Sequence, residues 1–276
     1  MQYYIITVIY NQLISNCTVV QFEKAFLNKG SNSIIFVDNS TDDKILQENS
    51  FFCFQNSFTY IDMQGNQGLP KAYNKAISGI PKDMGTWIII CDQDTELTSD
   101  FLKYYEQVIK SNPEKRIFCP IVKDSVGIMS PSRIKGKKYI HSKNTDFNKH
   151  IENYSFINSC MCINSTIFDS VFYDENLFLD CVDHDFTKTV RKAFATELFY
   201  VMQDLVIYQN FSGVTKNSLK SDFIRFQIYA NDLRYFVSKW YGSTIWSNKI
   251  LFLRAIKLAI QHKKLSFIRL VTSRLK

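Results

Sequence analysis

The run Trp87-Ile88-Ile89-Ile90-Cys91 ends abruptly in Asp92-Gln93-Asp94-Thr95. A short apolar, β-branched stretch of this kind predicts a buried strand. In extended chain alternate side chains share a face, so Asp92 and Asp94 point one way and Gln93 the other. At the carboxyl end of a strand in an open α/β sheet, that direction faces the ligand crevice. Two hard oxygen ligands there suit Mg²⁺ or Mn²⁺ held together with substrate phosphates. An acidic turn after a strand would carry the same letters, so spacing alone leaves the two readings level.

The chain on either side alternates strand and helix. Tyr3 to Ile9 reads as a first strand, followed by a helical stretch to about Leu27, with Val19, Phe22 and Phe26 in phase and Gly30 past its end. Ile34 to Val37 is a second strand ending in Asp38-Asn39-Ser40, and Thr41-Asp42-Asp43 starts a short helix. Phe58 to Ile61 is a third, followed by Gly65 to Pro70 and a helix through Ala72, Ala76 and Ile77 that Gly79 and Pro81 end. After the fourth strand, Thr98 or Ser99 caps a helix with Phe101, Leu102, Tyr105, Val108 and Ile109 on one face. This order predicts a doubly wound, mostly parallel sheet.

Further along, Ile117 to Cys119 reads as a strand, Arg133 to Lys143 as a basic loop or hairpin, and Ser165 to Val171 as a short helix after Tyr154 to Ile163. A helix runs through Phe186, Val190 and Phe194. Leu198 to Val201 and Leu205 to Tyr208 read as two strands, and the chain is helical from Leu219. The 276 residues suffice for one large α/β domain with an appendage. We divide it into a catalytic unit, 1–218, with halves 1–115 and 116–218, and a basic helical extension, 219–276.

A hydrophobic content of 46% fills a real core and excludes a disordered chain. The seven cysteines sit mostly in apolar runs without a C-x-x-C, which predicts reduced core residues in a cytosolic protein. The N-terminus lacks the basic n-region of a signal peptide, and Ile250 to Ile260 is broken by Arg254 and Lys257, so it is no membrane span. The formal net charge of +7 implies an anionic partner: nucleic acid, an acidic membrane surface or a nucleotide. No acidic residue follows Asp232, while ten basic ones do, which leaves −3 for the rest. Leu251, Phe252, Ala255, Leu258 and Ala259 recur there at helical spacing, with Phe267, Ile268 and Val271 beyond. Such a tail lies on an anionic membrane or packs on its own domain.

Polar groups fall at strand ends along one edge of the predicted sheet: Thr7 to Asn11, Asp38, Gly65 to Asn74, Asp92 to Asp94, and Asp180 to Asp185 before a late helix. Their order (T-V-I-Y-N, V-D-N-S, N-Q-G-L-P-K-A-Y-N, C-D-Q-D-T, F-L-D-C-V-D-H-D) resembles family-2 glycosyltransferases of the GT-A fold over roughly residues 3 to 240. It looks closest to the rhamnosyltransferase-like branch of bacterial surface polysaccharide (capsule) synthesis. The resemblance implies a Rossmann-like mixed sheet with flanking helices. It implies inverting transfer of a sugar such as rhamnose from a dTDP- or UDP-linked donor to a saccharide or lipid-linked saccharide acceptor. It also implies a cytoplasmic enzyme working at the inner face of the membrane. Asp38 and Tyr10 would line the nucleoside pocket, with Asn66, Gly68 and Asn74 beneath the nucleotide. Asp94 would hold a divalent ion on the diphosphate, and Asp92 would contact ribose or metal. Asp183 would be the general base, with Asp185 or Asp180 as substitutes.

The chain departs from the family at three places. Thr189 stands where an arginine commonly follows the base, with Arg191 two further on. Gln209 to Gly213 replaces an H-x-x-G, which weakens the case for tight metal binding. Asn231-Asp232 replaces an R-N pair. The histidines, His141, His150, His184 and His262, read as exposed. A sugar-phosphate nucleotidyltransferase remains the enzymatic alternative, although Tyr10-Asn11-Gln12-Leu13 offers no glycine-rich loop. A nucleic-acid-binding α/β protein is the non-enzymatic one, although no zinc-finger or RNP pattern occurs.

Overall fold

The computed structural model describes residues 1–22, 32–95, 100–143, 146–194, 196–209 and 218–272. Strand β1 (Gln2–Ile9) sends Tyr3, Ile5 and Ile9 into one core and Ile6 into another. Burial on both faces suits a strand in the middle of a parallel sheet. It pairs in parallel with β2 (Ser33–Asp38) and β4 (Thr86–Asp92), and β3 (Thr59–Asp62) adds in parallel beyond β2. Helices α1 (Asp43–Gln55) and α2 (Leu69–Ser78) follow β2 and β3, and α3 (Phe101–Ser111) follows β4. The α1 start is the expected one: the Asp42 carboxylate accepts from the Lys44 and Ile45 amides at 2.9 and 3.3 Å.

The second half makes the sheet mixed. Its strands are β5 (Ile117–Lys123), the basic hairpin β6 (Ile128–Lys135) and β7 (Lys138–Ser142), the two-residue β8 (Tyr154–Ser155), β9 (Met161–Asn164) and β10 (Phe199–Tyr208). Strand β9 inserts antiparallel between β4 and β5, giving the order β3-β2-β1-β4-β9-β5-β6-β7, while β10 pairs with β5 and β8 with β6. Helices α4 (Val182–Ala193), α5 (Leu219–Tyr241), α6 (Ile245–His262) and α7 (Ser266–Thr272) join α2 over one face. Helices α1 and α3 cover the other. The architecture is the expected mostly parallel sheet with flanking helices and C-terminal helices.

Four local expectations change. The two strands expected at 198–208 are one strand, β10, whose register slips between Met202 and Val206 opposite Pro120. Proline has no N–H to give the ladder, so the pairing bulges there. Among the described residues after β1, two 3-10 turns, Ile14–Asn16 and Thr18–Phe22, stand where the start of a helix was expected. The Asn49 side chain on α1 bonds Ile14 N at 2.8 Å and Gln12 O at 3.0 Å and so draws this segment into a wrap. Phe26, Leu27, Gly30, Thr98 and Ser99 lie outside the described residues. His184 is not exposed: it stacks on Tyr139 at 3.7 Å and pairs with Ser155 Oγ at 2.8 Å, and burial, with Lys188 nearby, lowers its pKa to about 4. His262 is likewise held, by Asp222 at 2.7 Å. All seven cysteines are free thiols, six of them buried.

The C-terminal helices pack on the domain through Leu251, Ala255, Ala259, Phe267 and Val271. Helix α5 also carries Asp232, which is 2% exposed. Its carboxylate accepts the amides of Phe178, Leu179 and Asp180 at 3.0, 2.8 and 2.7 Å. Burial raises its pKa and those three amides oppose the rise. Replacing it strands three amides at once. We expect Asp232→Ala to cost about 3 kcal/mol of unfolding free energy, read as a lower urea midpoint at unchanged slope.

Candidate active site

The pairings Ile9↔Asp38 and Val8↔Asp92 bring the ends of β1, β2 and β4 level. The first residue beyond each end, Tyr10, Asn39 and Gln93, therefore lines one cavity of about 700 Å³. Asn66, Gly68 and Leu69 form a second wall, and Phe178 and Leu179 a third. Helix α5 closes the fourth side with Lys220, Ser221, Ile224 and Arg225, and Asp92 lies in the floor.

The walls are locked together by backbone contacts. Asn39 donates to Gly68 O at 3.1 Å and accepts from Gln67 N at 3.2 Å. Asn66 accepts the Gly68 amide at 3.1 Å. Leu69 N donates to Phe178 O at 2.8 Å. Gly68 has φ +85°, and a Cβ there would lie 2.8 Å from that same carbonyl oxygen. The position thus needs glycine for conformation and for space.

Asp92 Oδ2 accepts from Ser159 Oγ at 2.6 Å and from Gln209 Nε2. Burial raises its pKa, those two hydrogen bonds pull it back, and the Asp94 charge raises it further. Asp183, at the start of α4, is near enough to feel Asp92. Its pKa is pushed up to about 7, first by burial, then by Asp92, with the Asn158 amide opposing and Asp180 adding. Two carboxylates that cannot both ionise comfortably are a recurring sign of acid–base function.

The other expected residues divide. Tyr10, Asn66, Gly68 and Asp92 line the cavity; Asp38, Asn74, Asp94, Asp183 and Asp185 are not among its lining. Asp38 is fully buried and accepts from Asn49 at 2.8 Å, Tyr60 at 3.1 Å and Ser40 N at 2.9 Å. It is a strand residue facing α1, so the level strand ends give its place to Asn39. Asn74 pairs with the Tyr173 backbone in both directions, at 2.9 and 3.0 Å, and ties α2 to that loop. Asp185 is 1% exposed, held by Lys239 at 2.8 Å and Trp240 Nε1 at 2.7 Å, which commits it to clamping α4 on α5. Asp180 is paired with Arg225. The strand ends at Asp92, and Gln93-Asp94 form a turn, with Thr95 N donating to Asp92 O at 3.1 Å. Alternation therefore stops: Gln93 reaches the cavity, its Oε1 accepting Tyr10 N at 2.9 Å, and Asp94 is exposed.

Among the described residues, no three His, Cys, Asp or Glu side chains converge as a metal cage. Asp92 keeps Oδ1 outside its bonds to Ser159 and Gln209, and Asp94 is close enough to repel it. One or two carboxylates completed by phosphate oxygens is the usual holding of a hard divalent ion. The donor set fits an ion shared with a substrate.

Sequence reasoning missed Asn39, Gln93, Lys220, Arg225 and Asp232. The last three come from α5, whose helical period gave no signal of a cavity.

Residues 4–172 match the profile of Glycosyl transferase family 2. The chain belongs to that family and is a glycosyltransferase. Comparison with curated protein sequences gives no significant match. Among solved structures, S. aureus TarS (residues 1–349) in complex with UDP-GlcNAc superposes with a TM-score of 0.53 at 16% identity, over 84% of this chain and 66% of that one. The TarS 1–349 complex with UDP gives 0.55 at 15%, over 98% and 90%. The mannosyltransferase PcManGT from Pyrobaculum calidifontis, in complex with GDP-Man and Mn²⁺, gives 0.52 at 11%, over 85% and 64%. These likenesses bear on the fold, which is that of GT-A enzymes. This chain spans about two thirds of the length of the first and third of these chains. The family match displaces the nucleotidyltransferase and nucleic-acid readings.

The glycine contact gives a local test. Gly65 also has positive φ, but a Cβ there meets nothing within 4 Å. We expect Gly68→Ala to destabilise by about 1–3 kcal/mol more than Gly65→Ala, the overpacking cost, measured by thermal unfolding of the two variants.

Proposed function

We propose that the chain is an inverting glycosyltransferase that binds a nucleotide-sugar donor in the cavity between the strand ends and α5. The observation that carries this reading is Asp183, a half-buried carboxyl at the start of α4 whose pKa is pushed up to about 7 by lost solvent and by Asp92. A general base works best when its pKa lies near the working pH. In this reading Asp183 takes the proton of an acceptor hydroxyl as that oxygen attacks the anomeric carbon, and the nucleoside diphosphate leaves from the opposite side. Tyr10 and Asn39 line the nucleoside end. Lys220 and Arg225 offset charge on the diphosphate. Asp92 and Asp94 would hold a divalent ion, whose Lewis acidity stabilises the leaving phosphate. Ser159 and Gln209 orient Asp92 for that task.

The family resemblance suggests a dTDP- or UDP-linked donor and a sugar such as rhamnose, in bacterial surface polysaccharide synthesis with a lipid-linked saccharide acceptor. TarS with UDP-GlcNAc favours a UDP-linked one. Mn²⁺ beside GDP-Man in PcManGT supports the metal. We draw the catalytic unit as 1–218, with 219–276 as an extension that completes the cavity wall.

Thermal-shift titration of UDP- and dTDP-sugars, with and without Mn²⁺, tests the cavity. We expect one nucleotide class to stabilise the protein and Lys220→Ala/Arg225→Ala to abolish the shift. No shift with any nucleotide sugar would overturn the reading. For the base, we expect Asp183→Asn to keep donor binding and lower kcat by roughly 10²–10⁴-fold. Only the ionised carboxylate accepts the proton, so wild-type kcat/KM should fall about tenfold per pH unit below about 7. A flat profile from pH 5 to 8 would remove Asp183 from the role.

A further inference from the structure

We infer that the outer face of α6, with the turn into α7, docks on an anionic lipid surface. The inner face of α6 buries Leu251, Ala255 and Ala259 against the domain. The outer face keeps Ile245, Leu253 and Ile260 80%, 57% and 73% exposed, with Phe252 beside them and Leu265 just beyond. Ile245, Lys249, Phe252, Leu253, Ile256 and Ile260 recur at steps that fall on one side of a helix. The stripe runs about 22 Å. Single exposed apolar residues are ordinary, whereas a continuous stripe marks an interaction surface.

Charge decides the occupant. Lys249, Lys257, Lys263, Lys264 and Arg269 are exposed around the stripe, and no acidic residue follows Asp232 in the chain. A second copy would bring the same cations and be repelled. An anionic bilayer supplies both the apolar layer and the opposite charge, the setting in which basic amphipathic helices bind. Among the described residues no helix is long and apolar enough to cross a membrane. The contact is therefore along the surface, with the helix lying in the headgroup layer.

This placement has a consequence for the cavity. Arg234 donates to Asn248 at 2.9 Å and His262 pairs with Asp222 at 2.7 Å, fastening α6 to α5 near both ends. Asp222 lies two residues from Lys220 and three from Arg225 on the cavity wall. A docked α6 would hold that wall one helix spacing, about 8–10 Å, from the lipid headgroups, within reach of an acceptor carried on a lipid. That consequence rests on the donor reading of the cavity; the docking does not.

Flotation of the full chain with phosphatidylcholine vesicles, with and without phosphatidylglycerol and at low and high salt, tests the docking. We expect binding only to the anionic vesicles, weakened by salt. We expect it to drop at least about tenfold in Phe252→Ser/Leu253→Ser/Ile260→Ser and in Lys257→Glu/Lys263→Glu/Lys264→Glu. Circular dichroism and the nucleotide thermal shift should stay at wild-type values in both variants. Absence of binding to anionic vesicles, or equal binding by the variants, would overturn the inference. So would a wild-type dimer in sedimentation velocity that the serine variant dissolves, since a second copy would then own the face. Vesicle binding without any nucleotide shift would leave the docking standing and remove the donor reading alone.

Discussion

The cavity depends on the carboxylate of Asp232. It gathers three consecutive amides from the loop before α4 and so fixes that loop to α5. The fixed loop sets Phe178 O against Leu69 N, which leaves no room for a side chain at residue 68. It also sets where α4 begins, after Cys181 in a left-handed conformation at φ 64°. Asp183 is two residues on. One buried acid thus links the glycine wall, the α5 wall and the proposed base. Backbone amides that would otherwise lie unpaired in a half-buried loop become the ligands that organise it.

The second organising feature is a repulsion. Asp92 and Asp183 both lose solvent; Asp92 makes Asp183 harder to ionise, and Asp94 does the same to Asp92. A fold optimised for stability alone would separate them. Keeping them together costs stability in the carboxylate state, and in the proposed reading it would supply a proton acceptor in the physiological range. Ser159 and Gln209 restrain Asp92 with hydrogen bonds. Asp92 and Asp94 are the residues that would hold a divalent ion, and its positive charge would offset the remaining repulsion at the proposed base.

Much of this was legible in the sequence because it follows from chain-local rules. The β-branched run at 87–91 had to be a buried strand, the Asp42 cap had to start a helix, and the polar strand ends had to fall along one sheet edge. What was not legible depended on register. Whether Asp38 or Asn39 meets the cavity turns on β1 and β2 ending level at Ile9 and Asp38. Whether Gln93 or Asp94 does turns on the strand stopping at Asp92. Asp185 and Asn74 carry the right chemistry, but Lys239, Trp240 and the Tyr173 backbone claim them. Those partners are distant in sequence. The cationic wall of α5 was hidden for the same reason: its helical period announces packing and says nothing of the pocket it closes.

In the proposed arrangement a diphosphate lies between an ion on Asp92 and the α5 cations, with Asp183 facing the transferred sugar. A crystal structure of the chain with a UDP- or dTDP-sugar and Mn²⁺ measures it directly. We expect the diphosphate to meet Asp92 through the Mn²⁺ and to contact Lys220 and Arg225 directly, with the Asp183 carboxylate open to the anomeric carbon's far side. A nucleotide bound outside this cavity, or an Asp183 walled off from the bound sugar, would contradict it.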